Sequence, residues 1–449
     1  MKNLVEKDDE NMLSQSPNQN QTDMFYPNML DQLNPKDPLI ELSKTIPWNY
    51  LEQEFAPLYS HRGKPAKPVR LMVGLCILKH LENLSDDELV MQWVRNPYYQ
   101  MFCGEREFQW KFPCDPSDLT YFRKRIGNEG FEKILAVSIH IHGEKIEEKD
   151  INVDTTVQEK NVTFPTDDKL YLKIINRLSQ LAEAEGIKLR RSYQKEIKEK
   201  KLALRFRDHP KNRNKARKAV KRLKTIAGII LRELQRKLSE EVSIKEEDNF
   251  KLYWQVLRQK RQDKNKVYSL HEPHIYCMAK GKLNKKYEFG TKASIAKTVK
   301  SSIIVGALAF EENKYDGHTL PRVLAQVKKL TKMIPDNAWV DRGYRGKSRV
   351  SDTKINYPKP LAKNLTDKVK ELIQKQFRKR AGIEGIISHL KNEHRLDRNY
   401  LKGFLGDEIN IFMAAAAFNF RKWMRLILFW LQLWIAHIVS QADNETLVT

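Results

Sequence analysis

The chain reads as a mixed α/β protein, its core interrupted by a large helical insertion and preceded by an all-α N-terminal domain. Three observations predict this. From Pro38 to Ile126 the apolar residues keep helical spacing, with capping residues and stop signals between runs. β-branched, strand-like runs begin at Asp150 and return after Tyr268. Between them, from Lys169 to about Lys260, the pattern is helical again.

Residues 1–35 are polar and rich in Asn and Gln, which predicts a disordered tail. The helical N-terminal domain spans 36–130. Within it "PVRLMVGLCILKHLENL" starts at Pro68 and is largely apolar, as a core helix should be. "SDDELVMQWVRN" opens with Ser85 and Glu88 at capping-box spacing. "SDLTYFRKRIG" places Ser117 as an N-cap and Gly127 as a stop. Helices with basic ends suit a helix-turn-helix-like module and, equally, a plain structural bundle.

"DINVDTTVQEKNVTF" is β-branched, with polar residues around Gln158 to Asn161, and predicts a hairpin. The helical insertion follows, at about 165–266. Lys188 to Lys224 carries 17 Lys or Arg against three acids. Pro210 breaks this run, and beyond it Val220, Leu223, Ala227, Ile230 and Leu234 define one apolar helix face. The cations beside that face include Arg213, Arg217, Lys218 and Lys221. A solvated helix face explains them, but so long a run of one sign points to a phosphate-binding surface.

After Tyr268, "HIYCMAKGKLNKKYEFGTKASIAKT", "SIIVGALAF" and "NAWVDRGYRG" read as strands, and "TLPRVLAQVKKLTKM" as a helix. "FRKRAGIEGIISHLK" is also helical in pattern. At about 100° per residue, Phe377, Arg380, Glu384 and Lys391 share one stripe, beside an apolar face of Ile383, Ile386, Ile387 and Leu390. Residues 423–449 form an apolar helix and tail. The run Leu426–Val439 has 14 residues, which suits a buried or partner-facing helix rather than a membrane span.

Lys plus Arg is 81 and Asp plus Glu 57, a net charge of +24, which favours a polyanionic partner such as nucleic acid. The four cysteines form no CxxC pair, so neither zinc nor a disulfide framework is expected. The first residues lack the apolar stretch of a signal peptide, and a cytoplasmic protein is expected.

Three acids stand out by context. Asp154 interrupts the strand "INVDTTV", against β-propensity and costly if buried alone. Asp341 ends the strand "AWVD", and Glu384 lies on the basic helix stripe. Each has a plainer reading, as surface residue, turn initiator or partner of an i,i+4 pair with Arg380. Together they are the oxygen donors that hard divalent cations take.

With those residues the sequence resembles the bacterial insertion-sequence DDE transposases, of the insertion sequence five group. The resemblance runs from about Met29 to Lys422. It rests on "NVDTTV", "WVDRGYRG" and "FRKRAGIEGIISHLK", with support from "RGKPAKPVRLMVGLCILKHLENLSDDELV" and "NEHRLDRNYLKG". That family's signature is Tyr, two residues, Arg, three residues, Glu, six residues, Lys. Arg380, Glu384 and Lys391 keep the spacing, whereas Phe377 stands where the family has Tyr. The resemblance implies an RNase H-like catalytic domain over 145–422, with Asp154 on its first strand and Asp341 at the end of its fourth. It further implies that Asp154, Asp341 and Glu384 hold two Mg²⁺ ions, with Mn²⁺ able to substitute. Phe377, Arg380 and Lys391 would lie against double-stranded DNA, and a homodimer would join two element ends. The rival readings are a nuclease of the same fold without strand transfer and a DNA-binding protein without catalysis.

Overall fold

β1 (Asp150–Lys160) organises the sheet. Ile151, Val153 and Val157 are buried, and so are Asn152 and Gln158. Apolar and polar positions are covered alike, as in a strand buried on both faces. The Gln158 amide is satisfied on both sides: it donates to the Asp407 carbonyl at 3.1 Å and accepts from Asn410 at 2.7 Å. The structure is a computed structural model and describes residues 28–60, 65–279, 286–346, 348–358 and 366–446, except the side chains of 372, 373, 376, 379 and 430–446. The chain divides into two compact units, Met1–Glu159 with Lys292–Thr449, and Lys160–Thr291.

In the first unit β1 is joined by β3 (Tyr287–Thr298) from Lys292 onward, β4 (Ile304–Phe310), β5 (Asn337–Trp339), β6 (Arg349–Val350), β7 (Thr353–Asn356) and β8 (Arg398–Asn399), while β2 (Tyr276–Ala279) and the first residues of β3 belong to the second unit. The order is β4-β3-β1-β5-β7-β6, with β8 on β1. β3 and β4 are antiparallel, whereas β1–β5 and β5–β7 are parallel. Helix Asp316–Thr331 connects β4 to β5 and packs on β4. Helix Asp367–Glu393 follows β7. This is an RNase H-like α/β core, in which Asp341 follows the fourth core strand once β2 is set aside.

β1 is one continuous strand, so the hairpin expected over 150–164 does not form. Its pairing partners lie far along the chain, where the local pattern could not show them. The helix expected to start at Ser117 spans Pro116–His140 and is capped by Asp115, with Asp118 completing a capping box. Gly127 interrupts it, as the pattern indicates, with non-helical backbone. With φ +60° it kinks the helix and lets it resume. The capping box of Ser85 and Glu88 and the start after Pro68 are as the pattern indicates. Of the polar tail, residues 1–27 lie outside the described residues, and helix Met29–Gln32 falls in what was expected to be disordered. Helix Gly403–Thr446 runs straight across the boundary expected at 423. It packs on Val69–Leu81 and Pro116–His140, so the N-terminal helices and the sheet share one hydrophobic core.

The second unit has its own core, built by helices Asp167–Ala184, Arg213–Lys237 and Glu247–Arg258 around Leu178, Leu223, Ile230 and Val256. It extends beyond the helical segment, because β2 pairs antiparallel with the first residues of β3, Tyr287 to Gly290. Among the described residues no helix is long and apolar enough to cross a membrane.

Candidate active site

Strand register brings the first two acids together. β1 pairs with β5 as Asp150↔Asn337, Ile151↔Ala338 and Asn152↔Trp339. Two residues further along each strand, Asp154 comes level with Asp341, and the alternation of side chains puts both carboxylates on one side of the sheet. The Val340 amide still donates to the Asn356 carbonyl at 2.9 Å, so Asp341 stands where β5 leaves the sheet. Each carboxylate is fixed by backbone. Asp154 Oδ1 accepts from the Thr155 amide at 2.8 Å, and Asp341 Oδ1 from the Gly343 amide at 2.8 Å. A Cβ at position 343 would lie 2.9 Å from Asp341 Oδ1, so any larger residue there would press on that carboxylate.

The third acid comes from the helix. Ile383, Ile386 and Leu390 are buried, and the Phe377 ring meets Trp339 of β5 edge-on at 5.4 Å. Arg380 then bridges two acids, with Nη1 3.6 Å from Asp154 Oδ2 and Nη2 3.0 Å from Glu384 Oε1. The i,i+4 pair suggested by the pattern is therefore present, and it is tied to the strand as well. The Glu384 side chain is 65% exposed, against 15% for Asp154. Lys391 is half-buried further along the same helix.

Burial pushes the Asp154 carboxyl up to about 6, and the charges of Asp341 and Glu384 push the same way, against the Thr155 amide and Arg380. A divalent cation would relieve that crowding, and hard carboxylate oxygens are the donors it takes. Asp154 and Asp341 fit such an ion. Among the described residues no group of three His, Cys, Asp or Glu is gathered closely enough to hold a metal, and Glu384 is engaged with Arg380.

The sequence reading missed a fourth acid, Asp316, which accepts from the Thr155 hydroxyl at 2.9 Å and from Lys292 at 2.8 Å. These residues lie far apart in the chain, and no local pattern joins them. Tyr344, just beyond Asp341, is 1% exposed. Burial raises its phenol well above the ordinary value, as do the charges of Asp154, Asp316 and Asp341. In the second unit Arg213, Arg217, Lys218 and Lys221 are all exposed, and none makes an ion pair among the described residues.

Two families match the chain. That described as "Transposase domain (DUF772)" matches residues 27–125, and "Transposase DDE domain" matches 254–420. The second match contains Asp341 and Glu384 but begins well after Asp154, which reaches the site through the β1–β5 register. A Rhizobium meliloti protein named "Uncharacterized protein ORF8 in nfe locus" is 42% identical over 184 residues, covering 39% of this chain and 88% of that protein. No solved structure matches at a significant level. With both transposase domains in sequence order and the acids set on an RNase H-like sheet, the chain belongs to the insertion-sequence DDE transposases.

Proposed function

We propose that this transposase, of the insertion sequence five group, cuts DNA at the inverted repeats of its own element and joins the freed ends to target DNA. The observation that carries the reading is the placement of Asp154 level with Asp341 on neighbouring parallel strands, with Glu384 linked to Asp154 through Arg380. Asp154, Asp341 and Glu384 would hold two Mg²⁺ ions, or Mn²⁺ in their place, which supply Lewis-acid activation of the attacking oxygen and charge stabilisation at the leaving oxygen. Glu384 joins the other two acids by leaving Arg380, which frees that guanidinium for a phosphate oxygen. Lys391 holds a phosphate further along the helix. Water attacks the phosphodiester at the element end and leaves a 3′-OH. That hydroxyl attacks a target phosphodiester, and the displaced target 3′ oxygen departs.

The helical N-terminal region and the basic face of the second unit would bind double-stranded DNA, and a homodimer would hold two ends in the bacterial cytoplasm, at the nucleoid. The test is incubation with labelled element ends, target DNA and Mg²⁺. Joined products support the reading. Cut products alone indicate a nuclease, and a shift without cutting indicates a binding protein.

A further inference from the structure

The hydrogen bonds behind Asp154 form a chain that its own metal-binding role does not require. The Thr155 amide sets the Asp154 carboxylate, donating to Oδ1 at 2.8 Å. The Thr155 side chain leaves β1 on the other side of the strand. There its hydroxyl donates to Asp316 Oδ1 at 2.9 Å. Asp316 opens the helix Asp316–Thr331, and Lys292 of β3 donates to the same oxygen at 2.8 Å and to the Lys314 carbonyl at 2.5 Å. One carboxylate oxygen thus ties together β1, β3 and the turn that leads out of β4.

The other oxygen lies beside the turn that follows β5. A Cβ built at Gly343 would lie 3.2 Å from Asp316 Oδ2 and 2.9 Å from Asp341 Oδ1. Asp316 is therefore hydrogen-bonded to the middle of β1 through Thr155 and lies against the turn after β5 at Gly343. The Lys292 side chain is only 12% exposed, and Asp316 is its partner there. Tyr344 closes the cluster from within, nearly fully buried.

We propose that Asp316, held by Lys292, is a positioning residue that fixes the Asp154 and Asp341 carboxylates relative to each other before metal binds. The inference rests on the metal-dependent cleavage proposed above. Its role differs from that of a ligand: Asp316 acts through Thr155 and Gly343, and its loss loosens a geometry that is otherwise set in advance. Partners of this kind, hydrogen-bonded behind metal ligands, are each worth about 10- to 100-fold in metal affinity or activity.

The test uses the full chain and reads Mn²⁺ binding by electron paramagnetic resonance, with end cleavage and metal-free affinity for end DNA measured in parallel. Asp316→Asn is the direct variant. Thr155→Val is the second, because it removes the hydroxyl and leaves the Asp316–Lys292 pair intact to support folding. Both should weaken Mn²⁺ binding by about 10-fold and slow cleavage by about 10- to 100-fold, with end-DNA affinity within about twofold. Thr155→Ser restores the hydroxyl and should bring both readouts back to within about threefold of the wild type. Wild-type Mn²⁺ binding in Thr155→Val, or a serine variant as impaired as the valine one, overturns the positioning role while leaving the metal site standing. A wild-type protein that binds Mn²⁺ no better than Asp154→Asn removes the metal site, and the positioning role with it.

Discussion

The strand side and the helix side of the site are held by different means. Asp154 sits within β1 and Asp341 just past the end of the parallel β5, and each accepts a backbone amide at 2.8 Å. Their positions follow from sheet register, which a single-residue slip would destroy by turning every side chain to the other face. Glu384 is 65% exposed and bonded to Arg380. An exposed pair of this kind contributes only a few tenths of a kcal/mol, so Glu384 can change partner at small cost. The comparison teaches that half of the site is built with the sheet, while the other half is set by a salt bridge that metal or DNA can displace.

The largest expected effects come from the acids. Asp154→Asn, Asp341→Asn and Glu384→Gln should each abolish end cleavage in Mg²⁺ while leaving end-DNA binding largely intact, since each removes a ligand charge without changing shape. Gel-shift and cleavage assays on the same preparations check this. Cleavage retained in any one variant removes that residue from the site.

Next comes the basic face of the second unit. Replacing Arg213, Arg217, Lys218 and Lys221 together by Gln should weaken DNA binding and flatten its salt dependence, by about one in the log–log slope for each phosphate that is no longer neutralised. An unchanged slope in a fluorescence-anisotropy titration means that these exposed cations touch solvent alone. The result would confine the DNA footprint to the catalytic unit.

The charge of Asp154 gives a smaller effect with a defined sign. Its carboxyl ordinarily titrates near 3.8, and in the fold it titrates at about 6. The folded state therefore binds more protons than the unfolded state between those values, and stability is lost as pH rises through about 6. Asp154→Asn should accordingly stabilise the metal-free protein at pH 7, by about 1–3 kcal/mol. At pH 4 the gain should shrink, because the wild-type carboxyl is then largely protonated in the fold. Thermal melts at the two pH values read both signs, and a variant less stable at pH 7 would mean that the carboxylate is favourably held in the free protein.

The smallest effects fall on the outer stripe of the helix. Lys391→Ala should lower the cleavage rate more than the affinity for end DNA, which should fall by about 1 kcal/mol. In-line displacement tolerates little misplacement, whereas one bound phosphate among many is easily spared. Phe377→Tyr should leave activity equal or higher. The ring packs edge-on against Trp339 whichever residue carries it, and the phenol adds a polar group on the stripe. If Lys391→Ala binds and cuts as wild type does, the stripe beyond Glu384 is an ordinary surface.

What the sequence made legible follows from how far each feature's cause extends along the chain. The helix stripe was readable because Phe377, Arg380, Glu384 and Lys391 are near neighbours, and the Arg380–Glu384 pair is where the pattern put it. The capping box of Ser85 and Glu88 is equally local. Asp154 stood out as a charge inside a β-branched run, but its strand was misread as half of a hairpin. The partners of β1 are β3, β5 and β8, all beyond the inserted helices, and nothing in "DINVDTTV" specifies them. Asp316, Thr155 and Lys292 were invisible for the same reason, and Tyr344 was hidden because a Gly-rich turn reads as exposed until its ring is seen to be buried.

The central claim is that Asp154 and Asp341 form a ready-made pair and that Glu384 completes it by exchanging Arg380 for metal. The most direct measurement is Mn²⁺ titration, by electron paramagnetic resonance, of the DNA-free protein as wild type, Asp154→Asn, Asp341→Asn and Glu384→Gln. The account predicts that the wild type binds, that either strand variant loses binding, and that Glu384→Gln retains it at reduced affinity. Equal binding by the wild type and both strand variants would contradict it.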